Sequence, residues 1–460
     1  MSITDHLPNF LRIEVDEQTF KKHKVLKRNF SNYNSEILKN ELIQLKLETK
    51  MQDLADVNKK YNFFHDTLLD IINKHAPITE TKNAPKDPNK PWIDNKIMSM
   101  ISEKYKFYRK YAKSKDFEFL KKYKIIRNKV NHEIRRKKYL YFKNFFQQNK
   151  NNVKKYWDAV NLVINKRKPN LRPMSITINN VTTTDPAEIS KLINNYYINV
   201  APELVKKLPH SKSNLTFSDY LKPPFSTPNP VNSFFCRLTS NNEVSKIIEN
   251  LDSNKAEDIY QFPIKIIKDV ETVISGPLTQ IINASFSSGI FPDRLKLAKV
   301  IPLFKGGDQS IPKNYRPISI LPIFDKVIER LMHSRLISFI NRNKLLNNMQ
   351  YGFQKNKSTS HAILDMTKKV ADSLQEKSLS CCIFLDLAKA FDTVNHKILL
   401  AKLEHYGIRG TQNKWFRSYL CNRKQSVYVS NSMSPPLNIE CGVPQCSHLP
   451  GGGDFFFGDS

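Results

Sequence analysis

The residues with the clearest chemical content lie in one run, Cys381-Cys382-Ile383-Phe384-Leu385-Asp386-Leu387-Ala388-Lys389-Ala390-Phe391-Asp392-Thr393-Val394-Asn395-His396. The apolar stretch from Cys381 to Leu387 reads as a buried strand, with Asp386 near its C-terminal end. A carboxylate there is costly unless it holds a metal or another strong partner. Strand ends are also where α/β sheets present their sites. Asp386 is therefore read as the chemical carboxylate. Asp392 has a plainer reading, as the N-cap of a helix running through Leu399, Leu400, Leu403 and Tyr406 to Gly407. A second pair of candidates, Lys305 and Arg316, flanks Gly306-Gly307. Two cations beside a glycine turn could approach phosphates, although surface charges on a hairpin look the same in sequence. Lys299 is a third, weaker cation of this group.

These residues need elements to hold them, and the glycines show where such elements lie. All twelve fall between Gly276 and Gly458. Residues 1–275 thus lack the residue that most easily supplies turns with positive φ, which favours helices and linkers there. After a short stub over 1–15, residues 16–168 read as a helical, basic connector. Leu38, Leu42 and Leu45 keep helical spacing, as do Phe64, Leu68 and Ile71 with Leu69 and Ile72 beside them. Residues 169–240 are rich in Pro, Asn and Ser, as in Pro223-Pro224 and Pro228-Asn229-Pro230, and read as a linker with short ordered pieces. Residues 241–460 alternate helix-like and strand-like runs with glycine turns, the pattern of an α/β or α+β domain, with α+β the class expected.

Charge is concentrated in the connector. The chain carries 73 Lys and Arg against 43 Asp and Glu, a net of +30. The stretch from Lys96 to Asn170 interleaves many of these cations with Tyr105, Phe107, Tyr108, Tyr111, Phe117, Phe119, Tyr123, Tyr139, Tyr141, Phe142, Phe145 and Phe146. Such a density of positive charge needs a polyanion or repels itself. Lysine and arginine neutralise phosphates, and aromatic faces stack on unpaired bases. The plainer account is a helical hairpin with an aromatic core and a solvated lysine face.

Other classes are excluded by composition. No window approaches the apolar length of a membrane span, and the N-terminus has no secretory pattern. The six cysteines show no CxxC pair or zinc spacing, which suits reduced thiols in an intracellular protein.

At this point the sequence resembles a known family. Phe384-Leu385-Asp386-Leu387-Ala388-Lys389-Ala390-Phe391-Asp392 is similar to the first catalytic motif of reverse transcriptases from jockey-like non-LTR retrotransposons. Lys299-Val300-Ile301-Pro302-Leu303-Phe304-Lys305-Gly306-Gly307-Asp308 with Asn314-Tyr315-Arg316-Pro317-Ile318-Ser319 resembles the family's fingers hairpin, and Asp258-Ile259-Tyr260 before Pro263 its entry. Gln350-Tyr351-Gly352-Phe353-Gln354 with Ser358-Thr359 resembles the next block, and Gly442-Val443-Pro444-Gln445 the motif lining the nucleotide pocket. The resemblance implies a right-hand polymerase with fingers and a partial palm over 241–460. It implies an RNA template, a DNA primer, deoxynucleoside triphosphates and Mg2+, with no membrane, in the cytoplasm with access to the nucleus. Polymerisation uses two metals held by carboxylates. Asp386 would be one ligand and the backbone oxygen of Leu387 another. Lys305, Arg316 and Lys299 would meet phosphates, Phe391 would exclude a 2′-hydroxyl, and Gln445 would touch the incoming nucleotide.

The sequence departs from this pattern near its ends. After Gln445 the family continues Gly-Ser and an apolar run, but here Cys446-Ser447-His448-Leu449-Pro450 follows. No aromatic-Ala-Asp-Asp motif occurs before Ser460, and Gly458-Asp459 stands too close to Gln445 to replace it. Gln354 occupies a position where the family usually has arginine. Ile3-Thr4-Asp5-His6-Leu7-Pro8 resembles the last motif of the endonuclease that precedes the polymerase in these elements, with Asp5 orienting His6. The expectation is a polymerase segment of a larger polyprotein that does not copy a template by itself. The alternative is a non-catalytic nucleic-acid-binding remnant.

Overall fold

The computed structural model describes residues 25–81, 90–150, 153–164, 175–178, 181–206, 216–222, 232–253, 256–387 and 389–444. Asp5, His6, Pro223 to Pro230 and Gln445 lie outside these residues. The chain divides into two units, residues 26–79 with 173–460, and residues 1–25 with 80–172.

The helices expected near the N-terminus form. α1 (Ser35–Gln44) starts at Asn34, whose side-chain oxygen accepts from the amides of Glu36 and Ile37. α2 (Leu47–Gln52) follows, and α3 (Val57–His75) starts at Asp56, which accepts from the Lys59 amide. β1 (Val25–Arg28) pairs with β2 (Ile78–Thr81). Their apolar stripes do not stay within a connector. Leu38, Leu42, Met51, Tyr61, Phe64, Leu68 and Ile72 enter the same core as Ile274, Leu278, Phe324, Leu331 and Trp415. The expected unit over 16–168 is therefore split: 26–79 fold with the later residues because their apolar faces are buried there.

The other unit contains α4 (Asn95–Ser114), α5 (Phe117–Gln148) and α6 (Val153–Val163). α4 ends at Lys115 in the left-handed conformation (φ 57°) and α5 begins at Asp116, so the two helices form a hairpin. Lys137 on α5 pairs with Asp94 at the start of α4, and the rings of Tyr108 and Tyr123 lie 5.3 Å apart, which fixes an antiparallel register. The expected aromatic core is only partly present. Ile97, Val130 and Phe142 are buried, but Tyr105, Tyr108, Phe117 and Tyr139 are exposed. Two helices alone have too little facing surface to enclose that many rings.

The larger unit continues with β3 (Ile176–Ile178), β4 (Val181–Thr183), α7 (Pro186–Lys206), α8 (Asn241–Glu249), α9 (Ile264–Asp269) and α10 (Glu271–Ser288). β5 (Leu297–Phe304), β6 (Tyr315–Ile320), α11 (Ile323–Arg342), α12 (Thr359–Gln375), α13 (His396–His405) and α14 (Gly410–Leu420) come next. β7 (Lys424–Val429), β8 (Ser432–Met433) and β9 (Leu437–Asn438) close the described chain. The sheet runs β6-β5-β7-β8 with β9 also on β7; β5 is antiparallel to β6 and parallel to β7. This is the mixed helix-and-sheet fold expected of the α+β class. One sheet face, with Val300, Tyr315, Val427 and Val429, packs on Ile189 and Ile193 of α7. Buried Asp258 ties the entry of the fold together, accepting from the amides of Ile323 at 2.8 Å and Tyr260 at 3.0 Å. Among the described residues no helix is long and apolar enough to cross a membrane.

Candidate active site

The sheet supplies the first wall. β5 and β6 pair Lys299 with Ile320 and Leu303 with Arg316. Beyond Phe304 the Lys305 amide still donates to the Asn314 carbonyl at 2.9 Å, so the hairpin extends one residue further. Arg316 opposite Leu303 then shares a face with Lys305. Both side chains are exposed. Gly307 closes the turn with φ 90°, and a Cβ there would come within 2.9 Å of Asn314 Nδ2, so the position demands glycine. Lys299 is on the same face but six residues back along β5, ~20 Å away at the rise of a strand. Half-buried over the Tyr428 ring at 4.3 Å, it is lowered in pKa by that burial. It does not join the hairpin tip.

The second wall is the turn at Lys389–Thr393. The Asp392 and Thr393 amides donate to the Lys389 carbonyl at 2.9 and 3.1 Å, with Lys389 left-handed at φ 57°. The cap expected at Asp392 is instead Asn395, whose Oδ1 accepts from Lys397 and Ile398 at the start of α13. The rest of that helix follows the sequence reading. Leu399, Leu400 and Leu403 are buried, and the Gly407 and Ile408 amides return to the Glu404 and Leu403 carbonyls in a glycine-terminated helix end.

The segment Gly442–Val443 docks against this turn. Val443 N donates to Phe391 O at 2.9 Å and Gly442 N to Val394 O at 2.8 Å. His396 Nε2 donates to the Gly442 carbonyl at 2.7 Å. A small cavity of about 60 Å³ lies beside this junction, lined by Asp392, His396, Arg423, Gln425 and Tyr197 among others. Phe391 is half-buried against the core, its ring 6.3 Å from that of Phe353.

Lys389 also faces this junction, a residue that the sequence pattern alone does not single out. Its Nζ lies 4.0 Å from Asp392 Oδ2 and 5.9 Å from the Tyr196 ring. Burial lowers its pKa; Asp392 opposes this, and the charges of Lys305 and Lys313 add to it. Those three ammonium groups therefore share one electrostatic neighbourhood. The one signal in the sequence is its place between the two aspartates of the run.

The strand expected over Cys381–Leu387 does not form. The segment has no regular secondary structure, and Ile383, Phe384 and Leu385 are 81%, 79% and 90% exposed. A strand exists only through hydrogen bonds to a neighbour, and no described strand reaches this segment. Asp386 is exposed on it, as is Leu387.

Comparison with known proteins places the likeness in the second half of the chain. Residues 304–449 match the family model described as reverse transcriptase (RNA-dependent DNA polymerase). Over this segment the chain is similar to reverse transcriptases. It is 30% identical over 214 residues to the probable RNA-directed DNA polymerase from transposon BS of Drosophila melanogaster, covering 45% of this chain and 23% of that protein. Over 235 residues it is 29% identical to the RNA-directed DNA polymerase from mobile element jockey of the same species, covering 50% of this chain and 25% of that protein. The probable X-element polymerase of that species is 28% identical over 214 residues, again 45% of this chain and 23% of the relative. The chain thus spans about a quarter of the length of these relatives. The matched reverse transcriptase segment contains Lys305, Arg316, Asp386, Leu387, Phe391 and Gln445; Lys299 precedes it.

Reverse transcriptases work with a divalent metal on nucleic acid and nucleotides. The donors in this chain meet that need only in part. No group of three or more His, Cys, Asp or Glu gathers among the described residues, and Asp386 presents its carboxylate to solvent. Mg2+ requires oxygen ligands around an octahedron. One carboxylate and one carbonyl leave most of those positions to water and phosphate.

Proposed function

We propose that this chain is the fingers and partial palm of an RNA-directed DNA polymerase from a non-LTR retrotransposon, extending a DNA primer on an RNA template. The observation that carries the reading is the junction of two motifs. The Gly442–Val443 backbone is bonded to that of Phe391 and Val394, beside a turn whose Lys389 feels the charge of Lys305 on the hairpin. Lys305, Arg316 and Lys389 then bind the triphosphate, a trianion or tetraanion that cations on a rigid hairpin hold well. Phe391 contacts the sugar of the incoming nucleotide and excludes a 2′-hydroxyl, and Gln445 contacts the same nucleotide. Asp386 and the Leu387 carbonyl would supply part of a magnesium site, which when bound activates the primer 3′-oxygen and steadies the pyrophosphate. Lys299, half-buried and remote from the hairpin tip, positions the sheet. Asp5-His6 is the remnant of an endonuclease motif, the basic helices α4, α5 and α6 form an arm that meets nucleic acid, and the protein works in the cytoplasm with access to the nucleus.

With one such carboxylate, a polypeptide of these 460 residues binds primer and template without extending them. The test is primer extension with Mg2+ by a longer polypeptide that contains these residues and a second palm carboxylate motif. Extension that disappears in Asp386→Asn supports the polymerase reading. Tight RNA binding with no extension in that longer form favours the alternative, a nucleic-acid-binding remnant.

A further inference from the structure

A second cleft lies in the larger unit and shares no lining residue with the cavity beside Gly442. It has a volume of about 680 Å³ and is formed between the chain at 232–237 and the last turns of α11. The floor is set by helical spacing. Ser334, Ser338 and Arg342 follow one another at i, i+4 and i+8, a single stripe of small hydroxyls ending in a guanidinium. The other wall is an extended strap with alternating burial. Phe234 and Cys236 point inward, while Phe235 and Arg237 point out.

The strap is rigidly held. The Phe234 amide donates to the Gly407 carbonyl at 2.8 Å, and the Thr239 amide to Asn283 Oδ1 at 2.7 Å. Arg335, buried beneath, donates to the Arg237 carbonyl at 2.8 Å, the Leu238 carbonyl at 3.2 Å and Thr239 Oγ1 at 3.0 Å. Its remaining charge is met by Glu243 at 2.9 Å, which also pairs with Arg237 at 2.9 Å. Two guanidiniums thus share one carboxylate, and no acidic side chain lines the cleft among the described residues. The cleft is cationic.

Phe235 gives the surface its character. It is 80% exposed on a strap fixed at both ends, so burial in the fold does not account for it. A fixed aromatic face beside guanidiniums and hydroxyls suits one ligand chemistry, in which a base stacks while its phosphates are held. A duplex offers no free base face, and an acidic peptide makes no use of the ring. We propose that this cleft binds a stretch of single-stranded nucleic acid outside the polymerising site. In it Phe235 stacks a base, Arg237 and Arg342 hold phosphates, and Ser334 donates to a phosphate or sugar oxygen, while the Ser338 hydroxyl, which donates to the Ser334 carbonyl at 2.9 Å, is left as an acceptor. The proposal rests on the reading of the chain as a handler of RNA, and the experiment keeps the two apart.

The experiment is photocrosslinking of the full chain with benzoylphenylalanine in place of Phe235 or, separately, of Phe353 near the candidate active site. The probe is a labelled oligo(U) of about 15 nucleotides, a length within reach of one single-strand groove. The expected result is a crosslink at 235 that falls at least fivefold when Arg237→Glu and Arg342→Glu are added and that survives excess polyglutamate. In the otherwise native chain the same two substitutions lower the salt slope of oligo(U) binding by about 1.4, roughly 0.7 for each phosphate released. Both side chains are exposed, so the chain stays folded, with a lower midpoint because Arg237→Glu gives up the ion pair with Glu243; Arg342→Glu alone leaves the midpoint unchanged and still weakens the crosslink. A crosslink at 353 with none at 235 overturns the cleft and leaves the polymerase reading intact. Loss of the 235 crosslink to polyglutamate overturns it in favour of an acidic protein segment. No crosslink at either position counts against both.

Discussion

The amide of Val443 donates to the carbonyl of Phe391 at 2.9 Å, joining two distant segments of the chain by a backbone bond that no side-chain change can imitate. Its neighbour Gly442 makes that approach possible. At φ 86° a Cβ there would lie 2.8 Å from Asp392 O and 3.0 Å from Phe391 O. Gly442→Ala therefore costs about 1–3 kcal/mol, from the left-handed conformation and the clash together. Urea unfolding measures it; an unchanged midpoint would mean that this loop is docked differently.

Asp386 makes no described contact that stabilises the fold, and its side chain is exposed. Asp386→Asn should therefore leave the unfolding midpoint and RNA affinity within error of the parent chain. In a longer form that extends primers it should abolish extension. If RNA binding falls along with extension, Asp386 is holding structure and the catalytic assignment fails.

The two aspartates of this run show what a single sequence can and cannot reveal. The helix after them is legible because Leu399, Leu400, Leu403 and Gly407 encode it locally. Its cap is not, since Asp392 and Asn395 are equally good capping types and only the turn at Lys389 selects the second. The strand at Cys381–Leu387 fails for a deeper reason. An apolar run states that a segment wants a neighbour, while the neighbour lies elsewhere in the chain. Residues 26–79 repeat the lesson in helices. The spacing of Leu38 and Leu42 predicts an apolar stripe and says nothing of the core that receives it, here the one around Leu278 and Trp415. Lys389 becomes visible only when folding brings it near Lys305 and Lys313.

His65 should make the larger unit acid-sensitive. It is fully buried against Tyr260 and Phe262, with ring centroids at 4.6 and 5.0 Å, and its Nδ1 is 3.5 Å from Asp66. Burial pushes its pKa down to about 4. The unfolded chain then binds the proton first, so stability is complete above about pH 6.5 and is lost as pH falls from there towards 4, by at most about 3 kcal/mol. Buried Asp325, pushed up to about 6 despite Arg423, works in the opposite direction over an overlapping range. His65→Phe separates the two, because Asp325 is common to both proteins. The variant should gain on the parent in urea unfolding between about pH 7.5 and about pH 5, the span over which the unfolded histidine takes up its proton. Parallel curves would place the histidine's proton elsewhere.

The basic hairpin predicts a salt effect. Lys121, Lys122, Lys124 and Lys129 are exposed along α5. Replacing all four by glutamine should weaken RNA binding and reduce the slope of log affinity against log salt by up to about 3, at roughly 0.7 for each phosphate left unneutralised on a single strand. Circular dichroism should report the same helix content, since none of the four caps a helix or packs inside one. A slope that does not move would make the hairpin a scaffold.

Phe391 tests the nucleotide pocket most directly. Its ring is half-buried against the core and edge-on to Phe353, so a structural duty is already visible and any role in selecting sugars must be separated from it. Phe391→Val removes bulk while keeping an apolar contact, and should cost about 1–2 kcal/mol in unfolding. In a form that extends primers, the same change should raise ribonucleotide incorporation relative to deoxynucleotide by about ten-fold or more, because the 2′-hydroxyl then finds room. The ratio of kcat/KM for the two nucleotides reports this apart from any loss of folded enzyme, which lowers both alike. Phe391→Tyr restores the bulk and should restore the discrimination. A Val variant that loses stability while its ratio stays fixed would leave Phe391 a core residue, and the wall nearest the sugar would then have to come from another side chain.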